Sequence, residues 1–491
     1  MIVYIDNHRF HYEMENLVRL FFPDEKIKVE KEIPEDKVPP YIYTSMSEDE
    51  KTGNAHIYVR VKTGEFERIS VKDISLSIED FEKTAERCMA VCLYTILSEL
   101  TGKTKPWGIL TGVRPIKLFR RLSDKNGKEY AENYFKDKLL VSDEKIRLSA
   151  WTEENERKIL ALSRPMSVSL YISIPFCPSR CSYCSFISQT ADKAKKLIAP
   201  YFELLCREIG YTGEIVREKG LILESVYIGG GTPTTLGAEQ LDILIKTVRD
   251  NFDMSVCREF TVEAGRPDTI DEEKLRAIWD GGVDRISINP QTLNDSVLEV
   301  IGRKHTSKQI YDAFGLARKI GFNHINMDLI AGLPTDTVES FTETLDGIFG
   351  LDPESITVHT LALKRSSRLT LQGHSIGENN SAAKMLAICS ERLPQKGYEP
   401  YYLYRQSRIE GGLENTGWSK KGCEGIYNVF VMDETHTILG CGAGAVTKLK
   451  NPYGNELTRI FNYKYPYEYI SGFEEILKRK EQVRTYYDEL S

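Results

Sequence analysis

The pattern of apolar and polar positions changes character near residue 165. From residue 168 onward, short apolar runs alternate with longer segments whose apolar positions recur every three to four residues. The first pattern is typical of buried strands and the second of amphipathic helices. Six strands are predicted, at 168–174, 224–229, 258–263, 284–288, 324–330 and 355–361. The helices are predicted at 194–219, 237–251, 271–280, 307–320, 337–349 and 381–396.

This alternation predicts an α/β fold. Strands that alternate with helices pair in parallel through right-handed crossovers. Six such units favour a partial (β/α)6 barrel over an open sheet. In both architectures the functional residues lie at the carboxyl ends of the strands.

The unusual residues of this region fall where that rule places them. Cys177 follows the first predicted strand, the glycine-rich stretch 229–233 follows the second, and Glu263 ends the third. Gln291 follows the fourth strand, and Asp328 lies near the end of the fifth. These side chains are therefore expected at one end of the barrel.

The segments before and after the barrel have other patterns of predicted strands and helices. An α+β region is predicted before it, with a hairpin around 56–65 and helices at 79–100, 127–140 and 142–163. After about residue 400 the chain is rich in Tyr and Gly, and its one clear helical stretch is 466–480. The predicted organisation is an N-terminal α+β domain at 1–165, the partial barrel at 166–397 and a small C-terminal extension at 398–491.

Composition narrows the class of protein. The 491 residues are 41% hydrophobic and 28% charged, which is ordinary for a soluble globular chain. The net charge of −7 argues against a nucleic-acid partner, because such proteins normally carry a basic stripe. No run of 18 apolar residues predicts a membrane span, and the polar N-terminus does not resemble a signal peptide. A cytoplasmic localisation is predicted.

Three of the ten cysteines lie within eight residues, as Cys177, Cys181 and Cys184 in a C-x3-C-x2-C loop. Thiolates select zinc or iron–sulfur clusters. Structural zinc usually takes four protein ligands, whereas a [4Fe–4S] cluster held by three thiolates leaves one iron open to another ligand. The spacing favours the cluster, with a zinc site and three structural thiols as the alternatives.

The cysteine spacing is the signature of radical S-adenosylmethionine (SAM) enzymes. The lead-in from Tyr171 through Ile174-Pro175-Phe176 to Cys177 resembles oxygen-independent coproporphyrinogen III dehydrogenases and their haem-handling relatives. The resemblance extends from about 168 to 450. The long N-terminal region and the segment 411–448 are most similar to the HemZ-type branch.

The resemblance implies a radical SAM barrel with a [4Fe–4S] cluster and SAM as cofactors. Cys177, Cys181 and Cys184 would hold the cluster, and its open iron would bind the amino and carboxyl groups of SAM. Glu263 would accept hydrogen bonds from the ribose hydroxyls. The other SAM-binding residues implied by the resemblance are Tyr171, Tyr183, Gly230, Gly231, Thr232, Gln291, Arg303, Asp328 and Ala362.

The implied activity is oxidative decarboxylation of coproporphyrinogen III propionates to vinyl groups, giving protoporphyrinogen IX. Such an enzyme would need a tetrapyrrole substrate and an electron donor such as flavodoxin or ferredoxin. Radical opening or alkylation of haem is one alternative. A haem-binding chaperone is another, and Phe186 favours it, because family chaperones share this residue where dehydrogenases carry a fourth cysteine.

Two weaker features remain. The basic stretch 111–121 could meet porphyrin propionates, although a solvated helix start is the favoured interpretation. The stretch Gly440–Gly444 superficially resembles a dinucleotide loop, but no βαβ unit with a later acidic residue accompanies it. It is instead similar to a glycine motif that the family carries after its barrel.

Overall fold

A computed structural model describes residues 1–184, 186, 189–363, 367–371, 381–406 and 409–490. The described chain clusters into two compact units. The first comprises Met1–Glu153 and the described part of Tyr404–Glu414. The second comprises the described parts of Glu154–Gly373, Ser381–Leu403 and Asn415–Ser491. The boundaries predicted at 165 and 397 stay predictions.

A five-stranded sheet organises the first unit, in the order β2-β1-β3-β4-β5. The strand β1 is parallel to both neighbours, and the remaining pairs are antiparallel. Alternate residues of β4 are fully buried, including Ile57 and Val59, which gives the sheet one apolar face. The strands are Ile2–Asp6 (β1), Lys28–Glu30 (β2), Tyr41–Asp49 (β3), Asn54–Thr63 (β4) and Phe66–Ser75 (β5).

The helices of this part of the chain follow amphipathic patterns. The single helix predicted at 127–140 is wrong in detail, because a short α-helix there passes into a π-helical turn at Tyr134–Lys138. The sequence reading also missed α1 and the full length of α3. The helices are His11–Phe21 (α1), Phe81–Thr101 (α2), Pro115–Asn126 (α3), Lys128–Asn133 (α4) and Asp143–Leu160 (α5).

An eleven-stranded sheet forms the second unit, and its centre confirms the predicted fold. The six predicted strands pair in parallel and in chain order, as β6-β9-β10-β11-β12-β13. The long strands are Ser167–Ile174 (β6), Ile222–Gly230 (β9), Glu259–Gly265 (β10), Arg285–Ile288 (β11), Ile325–Ala331 (β12) and Ser355–Thr360 (β13). A separate short pair is formed by Phe176–Cys177 (β7) and Gln189–Thr190 (β8).

Strands from the C-terminal part of the chain continue this sheet at both edges. On one edge β15 pairs antiparallel with β13, and on the other edge β16 pairs parallel with β6. The strands are Tyr398–Arg405 (β14), Glu414–Lys420 (β15), Thr437–Cys441 (β16), Val446–Lys450 (β17) and Leu457–Phe461 (β18). Strands β14 to β18 therefore extend the parallel sheet at its two edges.

Helices connect the parallel strands, and polar caps define where several begin. Asp271 accepts a hydrogen bond from the Lys274 amide at 2.8 Å, and Thr337 accepts from the Ser340 amide at 3.1 Å. None of the described helices is long and apolar enough to cross a membrane. The helices are Ala191–Glu218 (α6), Ala238–Asn251 (α7), Glu272–Asp280 (α8), Asp295–Val300 (α9), Ser307–Ile320 (α10), Val338–Leu351 (α11), Arg368–Leu371 (α12), Ser381–Gln395 (α13), Ile426–Asp433 (α14), Pro466–Ser471 (α15) and Phe473–Asp488 (α16).

Candidate functional site

The cysteine loop begins at the carboxyl end of β6. Cys177 lies in β7, Cys181 is buried, and Cys184 is half-buried. The loop is held from the neighbouring strand end, where the Gly231 amide donates to the Ile174 carbonyl and the Thr232 amide to the Phe176 carbonyl, both at 2.7 Å. The backbone of the glycine-rich stretch therefore fixes the start of the cysteine loop.

Gly231 must be glycine for this contact. A Cβ at this position would lie 2.5 Å from the Phe176 carbonyl oxygen and 3.0 Å from Cys177 Sγ. Beside it, Thr232 Oγ1 donates to Cys177 Sγ at 3.5 Å. Gly230 has a φ of +104°, which a residue with a side chain rarely adopts. Direct contact of Gly230, Gly231 and Thr232 with SAM stays a prediction.

The three thiols of the loop suit an iron–sulfur cluster. All three lie within eight residues, and thiolates are the ligands that such clusters take. Burial, together with the nearby Cys181 and Cys177, raises the pKa of Cys184 to about 11, so this thiol is neutral unless a metal binds it. The residues present therefore fit the cluster.

Glu263 lies near the end of β10, beside aromatic side chains from three elements. Tyr227 donates to Glu263 Oε1 at 2.5 Å. Burial raises the pKa of Glu263 to about 7, and the charge of Asp328 acts in the same direction. The Tyr227 ring stacks at 4.6 Å on that of Tyr427, and Tyr171 stacks on both rings. The carboxyl group is thus held by one neutral donor inside an aromatic wall.

Asp328 lies on β12 beside His359 from β13. Asn326 donates to Asp328 Oδ1 at 2.8 Å, and His359 Nε2 lies 3.7 Å from Asp328 Oδ2. Burial opposes ionisation of Asp328, but the contacts with His359 and Asn326 hold its pKa below the usual value. The site therefore combines an ionised aspartate with a glutamate that titrates near neutral pH.

Gln291 is placed by strained backbone. Its φ is +69°, unusual for a residue other than glycine, and two hydrogen bonds hold the turn. The Gln291 amide donates to the Asp328 carbonyl at 2.9 Å, and the Gln291 carbonyl accepts from the Ile330 amide at 3.0 Å. Its side-chain Oε1 is buried and has no hydrogen-bond partner in the described part of the chain. A buried polar atom without a hydrogen bond destabilises the folded protein unless a ligand supplies the missing partner.

Arg303 links the loop after α9 to the cysteine loop. Its guanidinium donates to the Asn289 carbonyl, while its Nε is buried without a partner. Burial opposes its charge, but interaction with Tyr183 and Cys181 holds the pKa of Arg303 above its usual value. The Tyr183 ring also packs against an apolar cluster that contains Ile301. Arg303 is therefore a buried cation adjoining a candidate cluster ligand.

The structure brings most of the predicted site residues to one end of the barrel. Tyr171, Glu263, Asp328 and Gln291 form one connected group, while Arg303, Tyr183 and the cysteines form another. Ala362 follows β13, and its neighbour Leu361 donates to the Ala331 carbonyl at 2.9 Å. Among the described residues, no side-chain contact joins Ala362 to either group. The ligand contacts of all these residues stay predictions.

Sequence reasoning missed three side chains of this end of the barrel, namely Tyr227, Asn326 and His359. Two of them have a period-two signal that could have found them, and the third lies near a strand end. Tyr227 precedes Gly229 by two positions, Asn326 precedes Asp328 by two, and His359 is near the end of the sixth strand. In a strand, residues two apart share one face, so these residues face the same way as their functional neighbours.

Comparison with known proteins defines the class. A sequence model of the Radical SAM superfamily matches residues 171–348. The oxygen-independent coproporphyrinogen-III oxidase-like protein HemZ of Bacillus subtilis is 36% identical, covering 97% of this chain and 96% of its own. The heme chaperone HemW of Lactococcus lactis is 32% identical, covering 64% of this chain and 79% of its own. The structure of coproporphyrinogen III oxidase (HemN) from Escherichia coli is 24% identical, with a TM-score of 0.49, covering 65% of this chain and 72% of its own.

The chain is thus a radical SAM protein. It belongs to the oxygen-independent coproporphyrinogen III oxidase-like family, in the HemZ branch. Its cofactors are those of the superfamily, a [4Fe–4S] cluster and SAM. The resemblance, the barrel fold and the cofactors expected from the sequence are confirmed.

Proposed function

We propose that this chain is a radical SAM oxidoreductase that converts the propionates of coproporphyrinogen III to vinyl groups, giving protoporphyrinogen IX. The observation that carries the proposal is a set of incompletely satisfied buried polar groups at the end of the barrel from which the cysteine loop extends. Gln291 Oε1 and Arg303 Nε are buried without partners, and Glu263 has one neutral donor. A folded protein retains such groups where a ligand completes them.

The chain's own residues bind and orient in this proposal. Cys177, Cys181 and Cys184 hold the cluster, and Glu263 accepts from the ribose hydroxyls of SAM. Gln291 offers its free carbonyl oxygen to the same ligand. When bound, the cluster and SAM supply the one-electron chemistry that removes a hydrogen atom from the substrate.

The conversion of each propionate needs no side chain that donates or accepts a proton. The side chain loses one hydrogen atom from its β-carbon, one carbon dioxide and one electron, which leaves a vinyl group. The electron passes to an acceptor of unassigned identity. A cytoplasmic localisation belongs to the same proposal, because the low-potential chemistry needs a reducing compartment.

A haem chaperone is the second candidate function. Phe186 exposes 63% of its surface, a large value for an aromatic residue two positions after a candidate cluster ligand. The heme chaperone HemW of Lactococcus lactis is 32% identical to this chain. In a chaperone the site would retain haem without turnover.

The test is an anaerobic assay of the reconstituted protein with SAM, a low-potential reductant and either coproporphyrinogen III or haem, read by mass spectrometry. The proposal predicts products lighter by one and two formic-acid equivalents, with 5′-deoxyadenosine formed in proportion. The Cys181→Ala variant is the control and should give neither product. Opened or alkylated haem would replace the proposal with haem breakdown. Unchanged tetrapyrroles with retained haem would replace it with the chaperone.

A further inference from the structure

The start of α6 lies directly beside the cysteine loop. Thr190, which immediately precedes the helix, is the backbone pairing partner of Cys177 in the short β7–β8 ladder. The next two helical turns therefore begin next to a candidate cluster ligand. One turn rises about 5.4 Å, so side chains on these turns remain close to the loop.

These two turns carry an unusual charge pattern. Lys193, Lys195 and Lys196 are exposed, and none forms an ion pair with another residue that the structure describes. The first turn of a helix carries a partial positive charge, so Lys193, the third residue of α6, is electrostatically unfavourable there. Acidic residues are favoured in the first turn of a helix, and Asp192 is one of them. Three unpaired lysines at a helix start therefore point to a role outside the fold.

A further cation and an exposed aromatic ring adjoin the same loop. The backbone of Ile301 accepts from the Ser182 amide at 2.9 Å, and the Gly302 carbonyl accepts from Ser179 Oγ at 3.2 Å. Lys304, two residues further on, is exposed. Phe186, which lies between Cys184 and α6 in the sequence, exposes 63% of its surface. Apolar contact with a charged surround is the usual composition of an electron-transfer interface.

We propose that Phe186, Lys193, Lys195, Lys196 and Lys304 form a docking surface for an acidic one-electron donor protein. A chain of net charge −7 repels an acidic partner, so a basic surface is needed where the partner must approach. This surface adjoins the cluster ligands, where the electron must arrive. In the transfer the donor loses one electron and the cluster gains it. The inference rests on the proposed function, since it requires a cluster that is reduced.

The experiment uses the reconstituted protein and a reduced flavodoxin as the acidic donor. The test variant is Lys193→Glu/Lys195→Glu/Lys196→Glu, whose glutamates suit the helix start and should preserve the fold. The matched control is Lys319→Glu/Lys396→Glu/Lys421→Glu, which changes the net charge equally at exposed positions near the amino ends of the strands. Flavodoxin affinity and the rate of cluster bleaching are measured, with dithionite as a small reductant for comparison.

The proposal predicts that the test variant loses at least about tenfold in flavodoxin affinity and bleaching rate, while dithionite bleaching is unchanged. The wild-type rate should also fall as salt is raised from about 50 to 300 mM. Equal flavodoxin rates in wild type and test variant, or equal losses in test and control, would overturn the docking surface. Failure of the proposed function is distinguishable, because a protein that bleaches normally with both reductants but leaves coproporphyrinogen unchanged fails only that proposal.

Discussion

The two ends of the barrel both bury charged side chains, but they satisfy them differently. At the amino end, Glu224 is fully buried and accepts from Arg164 at 2.7 Å, Arg258 at 2.9 Å and Ser167 at 2.6 Å. At the carboxyl end, Glu263 has a single neutral donor among the residues that the structure describes. A buried charged side chain is stable when hydrogen bonds and opposite charges satisfy it. A side chain that lacks such partners is retained where a ligand supplies them.

The pKa values follow the same division. Burial opposes ionisation of Glu224, yet its hydrogen bonds from Ser167, Arg164 and Arg258 hold its pKa below the usual value. Burial raises the pKa of Glu263 to about 7. Burial is the largest influence on both pKa values, and at Glu224 alone the hydrogen bonds from two arginines and a serine outweigh it. We therefore expect the amino-end network to contribute to stability and the carboxyl-end residues to contribute to ligand binding.

Glu259 is a second buried carboxylate at the amino end that has hydrogen-bond donors. Glu259 is buried and accepts from the Ile426 amide at 2.6 Å and the Tyr427 amide at 3.3 Å. These amides belong to the start of α14, so a negative charge there also complements the helix dipole. Glu259 and Glu263 lie four residues apart on β10, with one satisfied by backbone donors and the other left for a ligand.

The largest expected effect is at the cysteine loop. Cys181→Ala should lose most of the bound iron and sulfide, because the cluster then has only two of its thiolates. Iron and sulfide analysis and the brown colour of the anaerobically reconstituted protein measure this. Cys423→Ala is the matched control and should load normally. Equal cluster content in the Cys181 variant would contradict the three-thiolate site.

The next effect separates binding from stability at Glu263. Glu263→Gln should weaken SAM binding about 30-fold, since hydrogen bonds to a charged group contribute roughly 2 kcal/mol. Its stability should be preserved, because Tyr227 can still donate to the amide oxygen. Equilibrium dialysis of SAM with the reconstituted protein measures the affinity. An unchanged affinity would remove Glu263 from the SAM site.

At the amino end, the corresponding substitution of Glu224 is expected to affect stability and not binding. Glu224→Gln should lower the free energy of unfolding by about 2 kcal/mol, because it removes the charge that Arg164 and Arg258 pair with. SAM affinity should stay within about twofold of wild type once the variant is folded. Chemical denaturation measures the stability. A loss of affinity without a loss of stability would contradict the division between the two ends.

The smallest effect is the pH dependence of SAM binding. The carboxylate form of Glu263 accepts hydrogen bonds, and its pKa near 7 means that this form increases as pH rises. SAM affinity should therefore increase about tenfold between about pH 6 and 8, with release of a proton on binding. The Glu263→Gln variant should be flat over that range. Identical slopes in the two proteins would assign the pH dependence to another group.

Much of this arrangement was predictable because it is local in sequence. The six strands, the cysteine spacing and the polar residues at strand ends all follow from period and position. The strand-end rule correctly brought Glu263, Gln291 and Asp328 to one end of the barrel. It succeeded because parallel strands share a direction, so a one-dimensional pattern determines which residues meet.

The rest depends on contacts between distant segments. The amino-end network joins Arg164, Glu224 and Arg258, and no local pattern links those three positions. The pairing of Thr437–Cys441 with β6 brings chain from more than 260 residues away, so periodicity could not reveal it. The aromatic wall behind Glu263 likewise includes Tyr427 from α14, which sequence reasoning assigned to a separate extension.

The most direct test measures both SAM affinity and unfolding free energy on the same pair, Glu263→Gln and Glu224→Gln. The predicted result is a crossover, in which the first variant loses about 30-fold in SAM affinity but no stability. The second loses about 2 kcal/mol of stability but keeps its SAM affinity. Two variants that lose both properties in parallel would contradict the claim that one end of the barrel binds and the other stabilises.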